Sequence, residues 1–190
     1  MKKTGFLLIA LALGLSLTAQ VNTHKLDFKT GTGFGFMGSG DLTALCFENE
    51  LNYKLNSYFT TSVSVGIGRT VKDIYRHNDY FQGSLNLFIS PFKNTRRNNF
   101  RIGGGYTLIN ETSLYNPSMY DHMINRTFKE EKYNNGFDYM TRMVRGFSMI
   151  LEDEYLINSK FLIGGKLFVT GGEREGGVVS GGMIKLGILL

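Results

Sequence analysis

Two pairs of carboxylates are the residues best spaced to do chemistry: Glu48 with Glu50, and Glu152 with Glu154. A spacing of two puts both members of a pair on one face of a β-strand, as general acid/base work would use. The same parity places four cations, Lys29, Arg101, Lys166 and Lys185, on the polar faces of other segments. The plainer reading is therefore a charge network that balances itself. A metal site would want His or Cys among the carboxylates, and of these only Cys46 shares that face. The histidines fall elsewhere: His24 in the leader, His77 in a polar break, and His122 in a long insertion. The Gly-x-Gly run from Gly31 to Gly35 has no helix after it, so it makes no phosphate cradle. No catalytic set, metal or cofactor is expected.

Strands must position those charges, and residues 147–170 display them most plainly. Phe147, Met149, Leu151, Tyr155 and Ile157, then Phe161, Ile163, Leu167 and Val169, are apolar at alternate positions, the period of a strand with one greasy face. Asn158-Ser159-Lys160 breaks the run with turn chemistry. Residues 53–59 (Tyr-Lys-Leu-Asn-Ser-Tyr-Phe) repeat the pattern of residues 155–161 (Tyr-Leu-Ile-Asn-Ser-Lys-Phe), so the same hairpin is expected twice. Period two also marks strands at about 28–37, 42–55, 59–68, 81–89, 100–108 and 178–190. Eight antiparallel strands result. Pro91 ends the fourth, since proline cannot donate to a ladder, and residues 110–145 read as a long loop because no alternation is sustained there.

The chain has 190 residues, enough for one domain. Met1-Lys2-Lys3, an apolar run from Phe6 to Leu17, and Leu17-Thr18-Ala19 before Gln20 have the layout of a cleavable export signal. Residues 1–19 are accordingly set aside, and residues 20–190 form the domain. The formal charge of +5 includes Lys2 and Lys3, and the remainder is not clustered as nucleic-acid binding requires. A single cysteine rules out a disulfide framework within the chain.

Alternation alone does not say which face is inside. The polar faces are rich in Gly, Ser and Thr, which suits a cramped lumen. Aromatic residues gather near the turns: Tyr53, Tyr58, Phe59, Phe92, Phe100, Tyr155 and Phe161, as in an interfacial girdle. Strand lengths near ten residues match a tilted crossing of a bilayer. These features, with the Gly-Gly-Gly-Tyr run at Gly103 to Tyr106, make residues 26–190 resemble the small eight-stranded outer-membrane proteins of the OmpX and OmpA barrel type. The resemblance implies an all-β, up-and-down transmembrane barrel, exported to the outer membrane, monomeric, with its apolar face toward lipid. One departure is the C-terminus: such chains usually end in an aromatic residue, and this one ends Ile188-Leu189-Leu190.

Membrane barrels of this size include lipid-modifying enzymes, yet no His-x-Ser pattern is present. The expected role is structural or interactive, through the 110–145 segment. Its Tyr115, Tyr120, His122, Tyr133 and Tyr139 suit contact with a protein or a glycan, though such a loop could also merely cover the barrel mouth. A narrow pore or a conduit for small hydrophobic ligands is the main alternative. One register is also implied: keeping like faces together around the 158–160 turn sets Tyr155 opposite Ile163, Glu154 opposite Gly164, and Glu152 opposite Lys166, which predicts an inward pair of opposite charges.

Overall fold

The computed structural model describes residues 24–38, 42–71, 78–115, 129–132, 138–172 and 178–190, with backbone alone for 114–115, 129–132 and 138–140. The expected export signal, His77, Tyr120, His122 and Tyr133 lie outside the described residues. The strands in chain order are β1 (Leu26–Met37), β2 (Leu42–Lys54), β3 (Phe59–Thr70), β4 (Asn78–Ile89), β5 (Asn98–Tyr115), β6 (Lys129–Lys132), β7 (Asp138–Leu156), β8 (Phe161–Gly172) and β9 (Val179–Leu189).

Eight of them close a barrel. Each strand pairs antiparallel with its neighbour from β1 to β5, β5 continues to β7, β7 to β8, β8 to β9, and β9 returns to β1. Closure satisfies every edge, which a spanning sheet requires because hydrocarbon offers the backbone no hydrogen-bond partner. Short β6 stands outside the wall. It pairs with β7 at Asp138–Thr141, beyond the stretch of β7 that β8 covers, which begins at Gly146.

The repeated turn forms as expected, and one residue makes it. Asn56 Oδ1 accepts hydrogen bonds from the backbone N–H of Tyr58 and Phe59 at 2.8 and 2.9 Å. Asn158 Oδ1 accepts from Lys160 and Phe161, both at 2.9 Å. In each case the side chain stands in for a backbone carbonyl and fixes the register of the strands that follow. The register on β7 and β8 is the one anticipated: Tyr155 faces Ile163, Glu154 faces Gly164, and Glu152 faces Lys166.

The expected 110–145 loop is too long. β5 runs on to Tyr115 and β7 starts at Asp138, with Asn110 opposite Met143 and Tyr115 opposite Asp138. Period two fails to signal this stretch because polar residues, Asn110, Thr112, Thr141 and Arg145, stand among the outward positions with Met143 and break the apolar alternation. Tyr115 and Tyr139 therefore lie on strands. Likewise the polar segment 69–79 contains paired strand: Arg69 faces Asp79 across β3 and β4. Since residues 116–137 supply only β6 to the described ladder, replacing them with a short turn should leave a barrel that still migrates as a folded, heat-modifiable band in gels. Shortening a loop by half changes closure by only about 0.6 kcal/mol.

Candidate functional site

The barrel is inverted relative to a water-soluble core. Large apolar side chains such as Phe34, Val63, Leu85, Phe147, Met149, Leu167 and Ile184 face outward, while Lys29, Glu48, Glu50, Arg101, Glu152, Glu154, Lys166 and Lys185 are all buried. Period two does both jobs at once, since each strand gives one parity to the wall and the other to the lumen. Tyr53, Tyr58, Phe59, Phe92, Tyr155 and Phe161 ring the outside at the short-turn end. Farther up the wall Tyr106 and Phe147, directly opposite in register, make an edge-to-face contact with centroids 5.8 Å apart.

Inside, all eight charged residues expected on the lumen face meet in one network. Arg101 on β5 is the hub. Its Nε donates to Glu152 at 2.7 Å and its Nη1 to Asn52 at 3.1 Å. Its Nη2 donates to Glu50 at 2.8 Å, contacts Glu154 at 2.9 Å, and makes a further short bond to Glu152. Lys185 on β9 bridges Glu50 at 2.7 Å, Glu152 at 2.8 Å and Glu48 at 3.1 Å. Lys166 on β8 reaches Glu48 at 2.5 Å and Glu50 at 3.7 Å. Lys29 on β1 contacts Asp27 at 3.2 Å and also bonds Glu154.

The predicted inward pair of Glu152 and Lys166 is thus half correct. Both sit opposite each other and both point inward, at 1% and 3% exposure, but each is held by other partners. Arg101 lies directly opposite Glu152 on the other flank of β7, and its planar fork matches a carboxylate better than a lysine does. Lys166, with a longer reach, spans the lumen to Glu48 on β2. In a narrow barrel, side chains from every strand converge, so ladder neighbours are not the only candidates for a charge.

Sequence reasoning missed Asp27 and Asn52. Asp27 is buried, ion-pairs with Lys29 and accepts from Asn52 Nδ2 at 2.8 Å. Extending the lumen parity of Lys29 back by two residues would have found it. With Asp27 the core of the network holds five carboxylates and four cations, and half-buried Lys54 adds its charge beside Asp27 and Glu154.

The lumen holds the small hydroxyl residues expected there, among them Thr60, Ser62, Ser64, Ser84, Thr107 and Ser148, and apolar groups that were not expected. Tyr80, Phe88, Ile109, Ile150, Phe168 and Met183 belong to one buried cluster, and Leu156, Leu162 and Leu189 to another. The Arg101 guanidinium lies 4.1 Å from the Phe88 ring centroid, an arrangement that favours a cation away from water. The lumen glycines make room for these rings: a methyl group on Gly68 would overlap Tyr80, and one on Gly103 would overlap Phe88. Between the charges and Phe168 a void remains, lined in part by Glu48, Ser64, Gln82, Asn86, Ser148 and Lys166, of about 10 Å³. That is about the space of a single water.

Outer wall, closed ladder and filled lumen define an eight-stranded transmembrane barrel of the outer-membrane type. No protein-family model and no curated protein matches the sequence. Solved structures do match in fold. Neisserial surface protein A (NspA) superposes with a TM-score of 0.66 at 8% identity, covering 87% of this chain and 97% of that one. Ail, the attachment invasion locus protein of Yersinia pestis, gives 0.57 at 9% identity over 88% and 99%. The outer membrane protein OprG from Pseudomonas aeruginosa gives 0.55 at 13% identity over 90% and 99%. At such identities the likeness is one of fold. A barrel of this fold with an apolar outer wall is an outer-membrane protein.

Proposed function

We propose that the protein is a monomeric outer-membrane barrel whose lumen is sealed by its charge network and whose role is surface interaction at the loop end. The observation that carries this reading is the contrast between the two ends. At the short-turn end β2 joins β3 and β7 joins β8 through four residues each, and β4 joins β5 through eight. At the other, β5 and β7, of 18 and 19 residues, run together up to the Tyr115–Asp138 pair and carry β6 beyond the wall. The resulting β5-β7-β6 ribbon leads into residues 116–128 and 133–137, where Tyr120, His122 and Tyr133 offer contacts to a protein or a glycan. A structurally similar protein supports such a use: Ail has been solved in complex with the heparin analogue sucrose octasulfate. Cells displaying the full chain should adhere to immobilised extracellular-matrix protein or glycan, and cells displaying an equal density of the form shortened across 116–137 should not. Equal adhesion by the two would remove the loop end from the function.

The pore alternative finds no support in the lumen geometry. Arg101, Glu50, Glu152 and Lys185 meet across it, each at most 2% exposed. Purified protein in planar bilayers should therefore show no sustained single-channel current, and steady conductance would reinstate the conduit. The reading assigns no catalysis to the chain.

A further inference from the structure

At the short-turn end the chain segments are tied into one collar. Asn94 N–H donates to Ser57 O at 2.8 Å and Ser90 N–H to Tyr58 O at 2.7 Å, joining the turn after β4 to the turn after β2. Leu156 N–H donates to Arg97 O at 2.8 Å, and Arg97 Nε returns a bond to Leu156 O at 3.1 Å, joining the turn after β7. Leu189 N–H donates to Lys160 O and Lys54 N–H to Lys25 O, both at 2.8 Å, which brings in β9 and the start of β1. Four of these backbone bonds carry the ladders one residue past the strand ends, and the bond from Asn94 to Ser57 ties one turn to another.

The collar carries basic side chains on three of its four segments, most of them on residues 90–97. It presents Lys25, Lys93, Arg96, Arg97 and Lys160, and none of residues 24–26, 55–58, 90–97 and 157–160 is acidic. Asp27 and Glu154, at the adjoining strand ends, are occupied in the lumen network; Asp153 stands on the outer face of β7. Two cations are set against girdle rings: Lys93 Nζ lies 5.9 Å from the Tyr58 centroid, and the Arg97 guanidinium 5.7 Å from that of Tyr155. Lys93 holds a φ of 70°, a conformation uncommon for lysine, and its N–H donates to Ser90 O at 3.1 Å. Aromatic girdles mark the level of the membrane–water interface, so charges beside these rings sit at the depth of headgroup phosphates.

We infer that this collar binds the phosphates of anionic phospholipids in the leaflet that surrounds the short-turn end. A membrane surface fits better than a soluble anion, because the cations are spread around the rim of the barrel instead of converging on one pocket. The inference rests on the seat of the barrel in the membrane and is independent of the role proposed for the loop end.

Spin-labelled lipids test it. The protein is placed in phosphatidylcholine vesicles with a trace of labelled phosphatidylglycerol or labelled phosphatidylcholine, and the motionally restricted fraction of each is read by electron paramagnetic resonance. Phosphatidylglycerol should be enriched beside the barrel about threefold at low salt and approach parity near 0.5 M salt, about where charge screening becomes short-ranged. The triple variant Lys93→Asn, Arg96→Gln, Lys160→Gln should lose the preference while restricting as much phosphatidylcholine as before. The pair Arg69→Gln, Arg145→Gln, on the outer face toward the loop end, should keep it. Equal association of both lipids with the unaltered protein, which needs no variant to fold, would overturn the inference. So would a preference that survives the triple substitution or that disappears with the Arg69 and Arg145 pair.

Discussion

Replacing Arg101 by methionine is expected to destabilise the barrel by about 3–5 kcal/mol, the cost of leaving buried charge without its partner. Arg101 is 1% exposed and touches Glu50, Glu152 and Glu154 as well as Asn52. Methionine keeps much of the volume and the packing on Phe88, so the loss reports charge more than cavity. Lys185 would still hold Glu50 and Glu152, and Lys29 would still hold Glu154, but four cations cannot then answer five carboxylates even with Lys54 included. Adding Glu152→Gln should recover part of the loss, because one of the uncompensated carboxylates disappears. The check is equilibrium unfolding by urea in lipid vesicles, as a double-mutant cycle. A loss of about 1 kcal/mol or less for the single variant would mean that water reaches the network.

Leu85→Arg should be the most damaging single change on the outer wall, at about 2–4 kcal/mol if the site is near the bilayer midplane. Leu85 lies midway along β4, 60% exposed, between Val63 on β3 and Tyr106 on β5. In a water-soluble barrel an exposed leucine could become arginine at almost no cost, so the sign of this experiment depends on what surrounds the wall. Vesicle-based unfolding of Leu85→Arg against Leu85→Ala separates the charge from the lost side chain. Indistinguishable stabilities for the two would place the outer face of β4 in water.

The fold was legible in the sequence because one physical signal, period two, decides both strand and face. Glu48 and Glu50 fall on the lumen side, and Leu51 and Tyr53 on the other, by parity alone. The repeated asparagine turn was legible for a similar reason, since Asn56 and Asn158 act locally. What parity does not carry is distance across the lumen. Nothing in the sequence says that Lys166 answers Glu48 on β2 and not Glu152 on the adjacent strand, because that choice depends on barrel radius and strand tilt. The apolar lumen layer was hidden too: Phe88 and Phe168 share the parity of polar residues, and only the glycines opposite, such as Gly103, could have hinted that a ring needs space there. Strand ends near the loops were misjudged, as at Asn110 to Tyr115, because polar residues such as Asn110 and Thr112 take outer positions there and interrupt the alternation.

The central claim is that the odd face of β7 meets lipid and the even face a filled lumen. It is tested most directly by spin labels placed singly at positions 147 to 151 in a Cys46→Ala background, with the protein in vesicles. Collision rates with oxygen, which concentrates in hydrocarbon, should be high at Phe147, Met149 and Leu151 and low at Ser148 and Ile150, while a water-soluble nickel complex should reach none of the five. High nickel accessibility at the odd positions, or oxygen accessibility that fails to alternate, would contradict the account.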